Sequence, residues 1–210
     1  MISLRAGARS GTIVGMNADQ VAALTALLGP SGWLEQTQDF AHALRSSTRT
    51  PGGLLLVGTP DYEPWHLTAH LGDESALAGI PELAPTLVRW SPPPDAPPHL
   101  RVGLARLEAA RRGETLLVVS AGAAPASLLE RVHDARRTGA TIFALDEDDP
   151  ELDGEAHESL IVSAAPATVS FDAAQHLVSS AAGGPHGGRP GLRQRLARFL
   201  DTVSGATPAE

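Results

Sequence analysis

Short apolar runs alternate with amphipathic stretches along the middle of this sequence. Five of the runs have the length of strands, at 54–57, 86–90, 115–119, 141–145 and 159–162. A continuous apolar run predicts a strand that is buried on both faces, as in a parallel sheet. The stretches between the runs predict connecting helices. We therefore expect an α/β fold with an open, doubly wound, five-stranded parallel sheet rather than an eight-stranded barrel.

Segments with apolar residues at helical spacing precede, separate and follow these runs. This spacing predicts helices at 31–46, 63–71, 125–137 and 171–182, and an amphipathic segment lies at 99–112. Upstream, Asn17 offers an N-cap for a further helix that Gly29 and Pro30 end. The chain thus divides into a helical N-terminal extension (1–50), an α/β domain (51–183), and a Gly-rich linker with an Arg-rich helix (184–210).

The charge of the chain is concentrated in one segment. The sequence has 24 acidic residues, 16 arginines and no lysine, and eight of the acids lie in 146–158. The rest of the chain is therefore formally neutral, and we expect a solvated acidic loop between the fourth and fifth strands. The segment lacks the ligand spacing of an EF-hand, which disfavours a calcium site.

Composition excludes several classes of protein. Without cysteine there is no disulfide scaffold, thiolate nucleophile or Cys-bound zinc, and without lysine there is no Schiff base or P-loop lysine. The acidic balance argues against nucleic-acid binding. No apolar run approaches the length of a membrane span and no signal peptide is evident, so we expect a cytoplasmic protein that does not bind membranes.

Two histidines are candidates for a metal site. His66 and His70 are four residues apart, which places them on one face of a helix. A third imidazole from another helix would complete a three-ligand zinc site with one open position. The alternative is that these histidines simply lie on the surface or at a subunit interface.

Ligands of doubly wound sheets bind beyond the carboxyl ends of the strands. The residues that follow Val57, Val119 and Leu145 are therefore candidates for a ligand site. We expect the following residues to contribute to it: Gly58, Thr59, Asp61, Glu63, Ser120, Gly122 and Ser127.

The stretch 115–162, which contains Gly-Ala-Thr-Ile-Phe-Ala-Leu at 139–145, resembles the second half of a sugar isomerase (SIS) domain. The order of elements over 54–182 is also similar to that family. The resemblance implies a flavodoxin-like fold that binds a sugar derivative. It also implies that the helices of 17–46 help to form a homodimer or homotetramer.

The chain departs from the phosphate-binding motif of that family. The family turn S-x-S-G-x-[ST], aligned on Gly122, has Val119, Ala121 and Ala124 where hydroxyl side chains are usual. In the first turn, Asp61 and Glu63 would repel a phosphate dianion unless a metal or an arginine intervened. The acidic segment 146–158 would lie beside the same site. These departures imply that the usual phosphate clasp is lost.

The histidines resemble those of the phosphoheptose isomerase branch. Its Q-H-x-x-x-E-L motif matches 65–71, with His66 on the family histidine and His70 on the glutamate. His176 matches a distant histidine, and Thr168 stands in place of a glutamine. The resemblance implies that His66, His70 and His176 bind Zn²⁺ and that His70 and His176 take part in proton transfer.

Three functions follow from these observations. The first is a SIS-like protein that binds a sugar derivative, another small ligand or a protein partner, without the phosphate clasp. The second is a metal-dependent sugar-phosphate aldose–ketose isomerase. The third is a non-catalytic module for structure or protein interaction.

Overall fold

The computed structural model of the protein describes residues 32–163 and 169–184. The predicted helix that Asn17 caps, most of the Gly-rich linker, and the Arg-rich helix at 190–203 lie outside these residues. The proposed domain boundaries and the oligomeric assembly therefore stay predictions.

Five parallel strands form the sheet in the order β2-β1-β3-β4-β5. The strands are β1 (Leu54–Val57), β2 (Pro85–Val88), β3 (Thr115–Ser120), β4 (Thr141–Asp146) and β5 (Glu158–Ile161). This is the flavodoxin-like order, in which the topological switch lies between β1 and β3. Each strand overlaps the apolar run that predicts it. The predicted fold class is therefore confirmed for the part of the chain that the structure describes.

Six α-helices accompany the sheet in the described ranges. They are α1 (Trp33–Ser47), α2 (Trp65–Ala78), α3 (Ala105–Glu108), α4 (Ala126–Arg137), α5 (Pro150–Glu155) and α6 (Phe171–Gly183). None of the helices in these ranges is long and apolar enough to cross a membrane.

The helices cover both faces of the sheet because alternate side chains of each strand point to opposite sides. On one face, Leu54 and Leu56 of β1 pack in a core with α1, α2 and α6. On the other face, Leu55 and Val57 pack with α3, α4 and α5. All residues of β1 and β3 are buried, which explains why their sequences are apolar without alternation.

Two segments differ from expectation. The amphipathic segment 99–112 contains only α3 and the end of a short 3₁₀ helix at Pro98–Leu100, because Pro97 and Pro98 precede it and Gly103 interrupts it. The acidic segment 146–158 is not simply a solvated loop. It contains α5, and Leu152 of that helix is fully buried in the core. One apolar side chain thus anchors a segment whose charge alone predicts solvation.

Candidate functional site

The three candidate histidines lie together between α2 and α6. His66 and His70 are in the first two turns of α2, which begins shortly after β1, and His176 is in the second turn of α6. The ring centroids of His66 and His70 are 4.7 Å apart, and His176 lies 4.3 and 4.4 Å from them. Each imidazole offers one nitrogen, and these nitrogens all lie within 4.8 Å of one another. The grouping predicted from spacing and resemblance therefore exists in the folded chain.

Packing on the inner sides of the two helices holds the histidines in place. Leu67 and Leu71 of α2 are fully buried, as is Val178 of α6. His66, His70 and His176 are offset from these buried positions, so the imidazoles lie closer to the surface than the leucine and valine side chains do. His66 is exposed, whereas His70 and His176 are partly buried.

The environment favours neutral imidazoles. Burial, and then the neighbouring His70 and His66, lower the pKa of His176 from 6.5 to about 4. Burial, followed by His66, also lowers the pKa of His70. A neutral imidazole is the form that binds a metal, since its lone pair is then available. Both partly buried histidines are thus in their ligating form near neutral pH.

The donor set fits zinc. With Zn–N bonds of about 2.0–2.1 Å, two ligand nitrogens of a tetrahedral site lie roughly 3.3 Å apart. Nitrogens within 4.8 Å of one another reach that spacing through small side-chain rotations. Three imidazoles without a thiolate or carboxylate are the ligand set of an open zinc site. Thr168, at the place of the family glutamine, lies outside the described residues.

The turn after β1 is closely packed. A Cβ atom at Gly58 would lie 1.9 Å from the carbonyl oxygen of Tyr62, so only glycine fits there. The carbonyl oxygen of Gly58 accepts a 2.8 Å hydrogen bond from Trp90 Nε1. Thr59 pairs with Tyr62 in an isolated bridge and is almost buried. The chain thus folds back on itself at the position where the family turn would receive a ligand.

The two carboxylates of this turn have different surroundings. Asp61 is exposed. Glu63 forms a 3.0 Å ion pair with Arg89 and accepts a 2.7 Å hydrogen bond from Trp65 Nε1. The same guanidinium lies 4.7 Å from the centre of the Trp65 ring. An arginine thus intervenes at Glu63, whose charge Arg89 balances, but Asp61 has no such ion pair among the described residues.

Two donors of the turn after β3 are engaged within the protein. Ser120 is fully buried, and its hydroxyl donates to the carbonyl oxygen of Gly122. The backbone N–H of Ala124 donates a 2.7 Å hydrogen bond to Asp149 Oδ2. Ser127 is exposed in the first turn of α4. The predicted residues Ser120, Gly122 and Ser127 lie in or next to this turn, but Ser120 points inward.

Two carboxylates of the acidic segment are structural. Asp149 caps α5 by accepting bonds from the N–H groups of Glu151 and Leu152, in addition to its bond from Ala124. Asp146 is fully buried, accepts N–H bonds from residues 148 and 149, and has a pKa that burial raises. These buried carboxylates order the loop after β4.

Three further polar residues, which the sequence did not indicate, lie beside the histidines. Gln175 Nε2 donates to the hydroxyl oxygen of Tyr62 over 2.6 Å, and that hydroxyl donates to Asp172 Oδ1 over 3.3 Å. Asp172 precedes His176 by one turn of α6. The three residues belong to no motif, and Tyr62 is more than a hundred residues distant from the other two. Only the adjacency of Gln175 to a candidate ligand could have drawn attention to them.

Comparison with solved structures bears on the fold. A Silicibacter pomeroyi DSS-3 protein to which phosphosugar isomerase activity is attributed matches with a TM-score of 0.57 and 18% identity. The match covers 90% of this chain and 54% of that protein. This chain has the fold of a sugar isomerase domain. The predicted resemblance is thereby confirmed at the level of the fold, and the chain spans about half the length of that protein.

Two other matches have TM-scores below 0.5 and carry no argument. A Salmonella typhimurium LT2 protein, described as sugar-binding, matches with a TM-score of 0.46 and 14% identity. The match covers 82% of this chain and 56% of that protein. Vibrio vulnificus NanR, whose structure is a complex with ManNAc-6P, matches with a TM-score of 0.39 and 11% identity. The match covers 87% of this chain and 60% of NanR. No family model matches the sequence, and no curated protein does.

Proposed function

We propose that this protein binds Zn²⁺ through His66, His70 and His176 and recognises a sugar derivative at that centre. The observation that supports the proposal is the grouping of three nitrogens within 4.8 Å on two helices that the core holds together. Zinc bound by three neutral imidazoles keeps a fourth position, where it can polarise a carbonyl oxygen or activate water. The sugar isomerase fold makes a carbonyl-bearing sugar derivative the best-supported ligand class.

The chain's own residues pre-organise this centre. His176 stays neutral over most of the pH range in which the protein would work, because its pKa is about 4. Zinc therefore competes with protons less than it would at ordinary imidazoles. A histidine that binds the metal cannot also accept a substrate proton, so the roles of His70 and His176 in this proposal are those of ligands rather than of proton carriers.

Aldose–ketose isomerisation is the reaction that suits such a centre. It needs a polarised carbonyl group and a base that moves a proton between adjacent carbons. Two carboxylates act electrostatically on the histidines: Asp172 acts on His176 and Asp73 acts on His70. Glu63 is already paired with Arg89.

A second candidate is a protein that binds a sugar derivative without catalysing its conversion. The turns after β1 and β3 favour it, because the Ala124 N–H and the Ser120 hydroxyl are engaged within the protein and the Gly58 turn is filled. These contacts support the loss of the usual phosphate clasp. In this candidate the centre recognises an unphosphorylated ligand.

Metal analysis tests the proposal. The full chain, saturated with zinc and then dialysed, should retain about one equivalent. His66→Ala and His176→Ala should lose it, while His99→Ala, at an exposed position in the Pro-rich loop, should not. A free zinc concentration one hundred times the dissociation constant stabilises the folded protein by about 2.7 kcal/mol. That stabilisation raises Tm by roughly 5–10 °C in a chain of this size. A wild-type protein that retains no zinc and shows no shift would refute the metal site.

A second assay separates the two candidates. Zinc-loaded protein is incubated with an aldose or ketose phosphate, and interconversion is followed by NMR. Interconversion that His176→Ala abolishes supports the isomerase. Saturable binding of an unphosphorylated sugar, with no interconversion of either form, supports the binding protein.

A further inference from the structure

We propose that Tyr62, Asp172 and Gln175 form a subsite that binds a vicinal diol of an unphosphorylated sugar, beside the three histidines. The inference deepens the proposed function, and rests on it for the class of ligand. It stands on a hydrogen-bonded network that joins the turn after β1 to the first turn of α6.

Gln175 is the buried support of this subsite. Its side chain is 2% exposed, and Nε2 lies 2.6 Å from the Tyr62 hydroxyl, 3.3 Å from Asp172 Oδ1 and 3.4 Å from the Phe171 carbonyl oxygen. All three neighbours can accept a hydrogen bond. If the amide group were turned over, its oxygen would face the Asp172 carboxylate and the Phe171 carbonyl oxygen, neither of which can donate. The orientation of the amide is therefore determined by its surroundings.

This orientation leaves a buried oxygen without a partner. Among the described residues, no group donates to Gln175 Oε1. A buried acceptor without a hydrogen bond costs roughly 1–3 kcal/mol. Native proteins accept such costs rarely, and often at functional sites. The same amide orientation that leaves Oε1 without a partner lets Nε2 hold Tyr62 and Asp172 in place.

The network sets the direction of the Tyr62 proton. The phenolic oxygen accepts from Gln175 Nε2, so its single hydrogen is directed to Asp172 Oδ1. Edge-to-face packing on Phe171, with ring centroids 5.6 Å apart, holds the Tyr62 ring. Asp172 is exposed, and its Oδ1 receives both bonds. Its Oδ2 receives none from the described residues and can accept hydroxyl groups from a ligand.

The chemistry of the subsite selects a neutral ligand. A carboxylate accepts two hydroxyl groups of a vicinal diol through charge-assisted hydrogen bonds, whereas it repels a phosphate group. Asp172 lies near enough to His176 to act on it electrostatically, in opposition to the effect of burial. One sugar could therefore contact the carboxylate through its diol while its carbonyl end faces the histidines.

Calorimetric titration of the full chain with D-fructose and with fructose 6-phosphate tests the inference, with and without zinc. We expect fructose to bind saturably in the millimolar range and its phosphate to bind no more tightly. Asp172→Asn should weaken fructose binding about tenfold or more, the loss of a charge-assisted bond, and Tyr62→Phe should weaken it less. The matched control is Asp134→Asn, an exposed carboxylate on α4, and it should leave the affinity unchanged.

Zinc content and thermal stability are measured on each variant, so that a loss of fold or metal is distinguished from a loss of sugar binding. Zinc binding without saturable fructose binding would overturn the subsite while leaving the metal proposal intact. Fructose binding that depends on Asp172, in a protein that retains no zinc after saturation and dialysis, would support the subsite and refute the metal site. Unchanged affinity in Asp172→Asn, or tighter binding of the phosphate, would overturn the subsite.

Discussion

Acidification of the metal-free protein should reveal the low pKa of His176. The pKa is about 4 in the folded chain, against 6.5 for an ordinary imidazole. The unfolded chain therefore binds a proton between these values and the folded chain does not. Stability is unaffected above pH 6.5 and falls as the pH decreases towards 4. His70, whose pKa is also lowered, acts in the same direction.

The expected loss of stability follows from the size of the His176 pKa shift and from the exposure of its side chain. At 1.36 kcal/mol per pKa unit the full shift corresponds to roughly 3.4 kcal/mol. Because the side chain is only partly buried, solvent screening reduces the expected loss to about 1–2 kcal/mol. For a chain of this size, 1 kcal/mol changes Tm by about 2–4 °C. The wild type should therefore lose several degrees more than His176→Gln between pH 7.5 and 4.5.

Differential scanning calorimetry in EDTA measures this difference. His176→Gln lacks the titrating ring, so subtraction of its pH profile removes the contribution of groups that do not interact with His176. His99→Gln is the matched control, since it removes an exposed histidine, and its profile should parallel that of the wild type. If the wild type and His176→Gln have parallel profiles down to pH 4.5, burial does not depress the His176 pKa and the reasoning is wrong.

Three further predictions concern packing and capping. Gly58→Ala should destabilise by several kcal/mol or abolish folding, because its Cβ would lie 1.9 Å from a carbonyl oxygen, whereas Gly122→Ala, which meets open space, should be tolerated in a thermal melt. Asp149→Ala should lower the free energy of unfolding in urea by about 1–3 kcal/mol through loss of the α5 cap and the bond to Ala124, and an effect no larger than that of Glu147→Ala would contradict this. Phe143→Ala should cost about 3–5 kcal/mol in the same assay, because the ring is 1% exposed; a loss below 1 kcal/mol would show that the core collapses around the site.

Much of the fold was predictable because its signals are local. The run Leu54–Val57 has no polar side chain to face water, so it must lie inside a covered sheet. The spacing of His66 and His70 alone places both on one helix face. Element bounds were less predictable, since α2 continues to Ala78, seven residues beyond the expected end. Its last two turns bury Ser75 but no apolar side chain, so no buried apolar position predicts them.

The acidic segment shows where local reasoning fails. Its composition predicts solvation, yet Leu152 is buried in the core and Asp149 bonds to Ala124 in the turn after β3. That contact joins residues 25 positions apart in two different crossovers. The number of charges in the segment does not indicate this contact with Ala124.

The sequence by itself determined which segments are strands, four of the described helices that flank them and which histidine pair shares a face, since the spacing of apolar and polar side chains follows from burial. Only the tertiary structure decided that His176 meets that pair, and that Gln175 donates to a tyrosine 113 residues away. The physical reason is that periodicity specifies each element, whereas the approach of α2 to α6 depends on how side chains of both pack over one sheet.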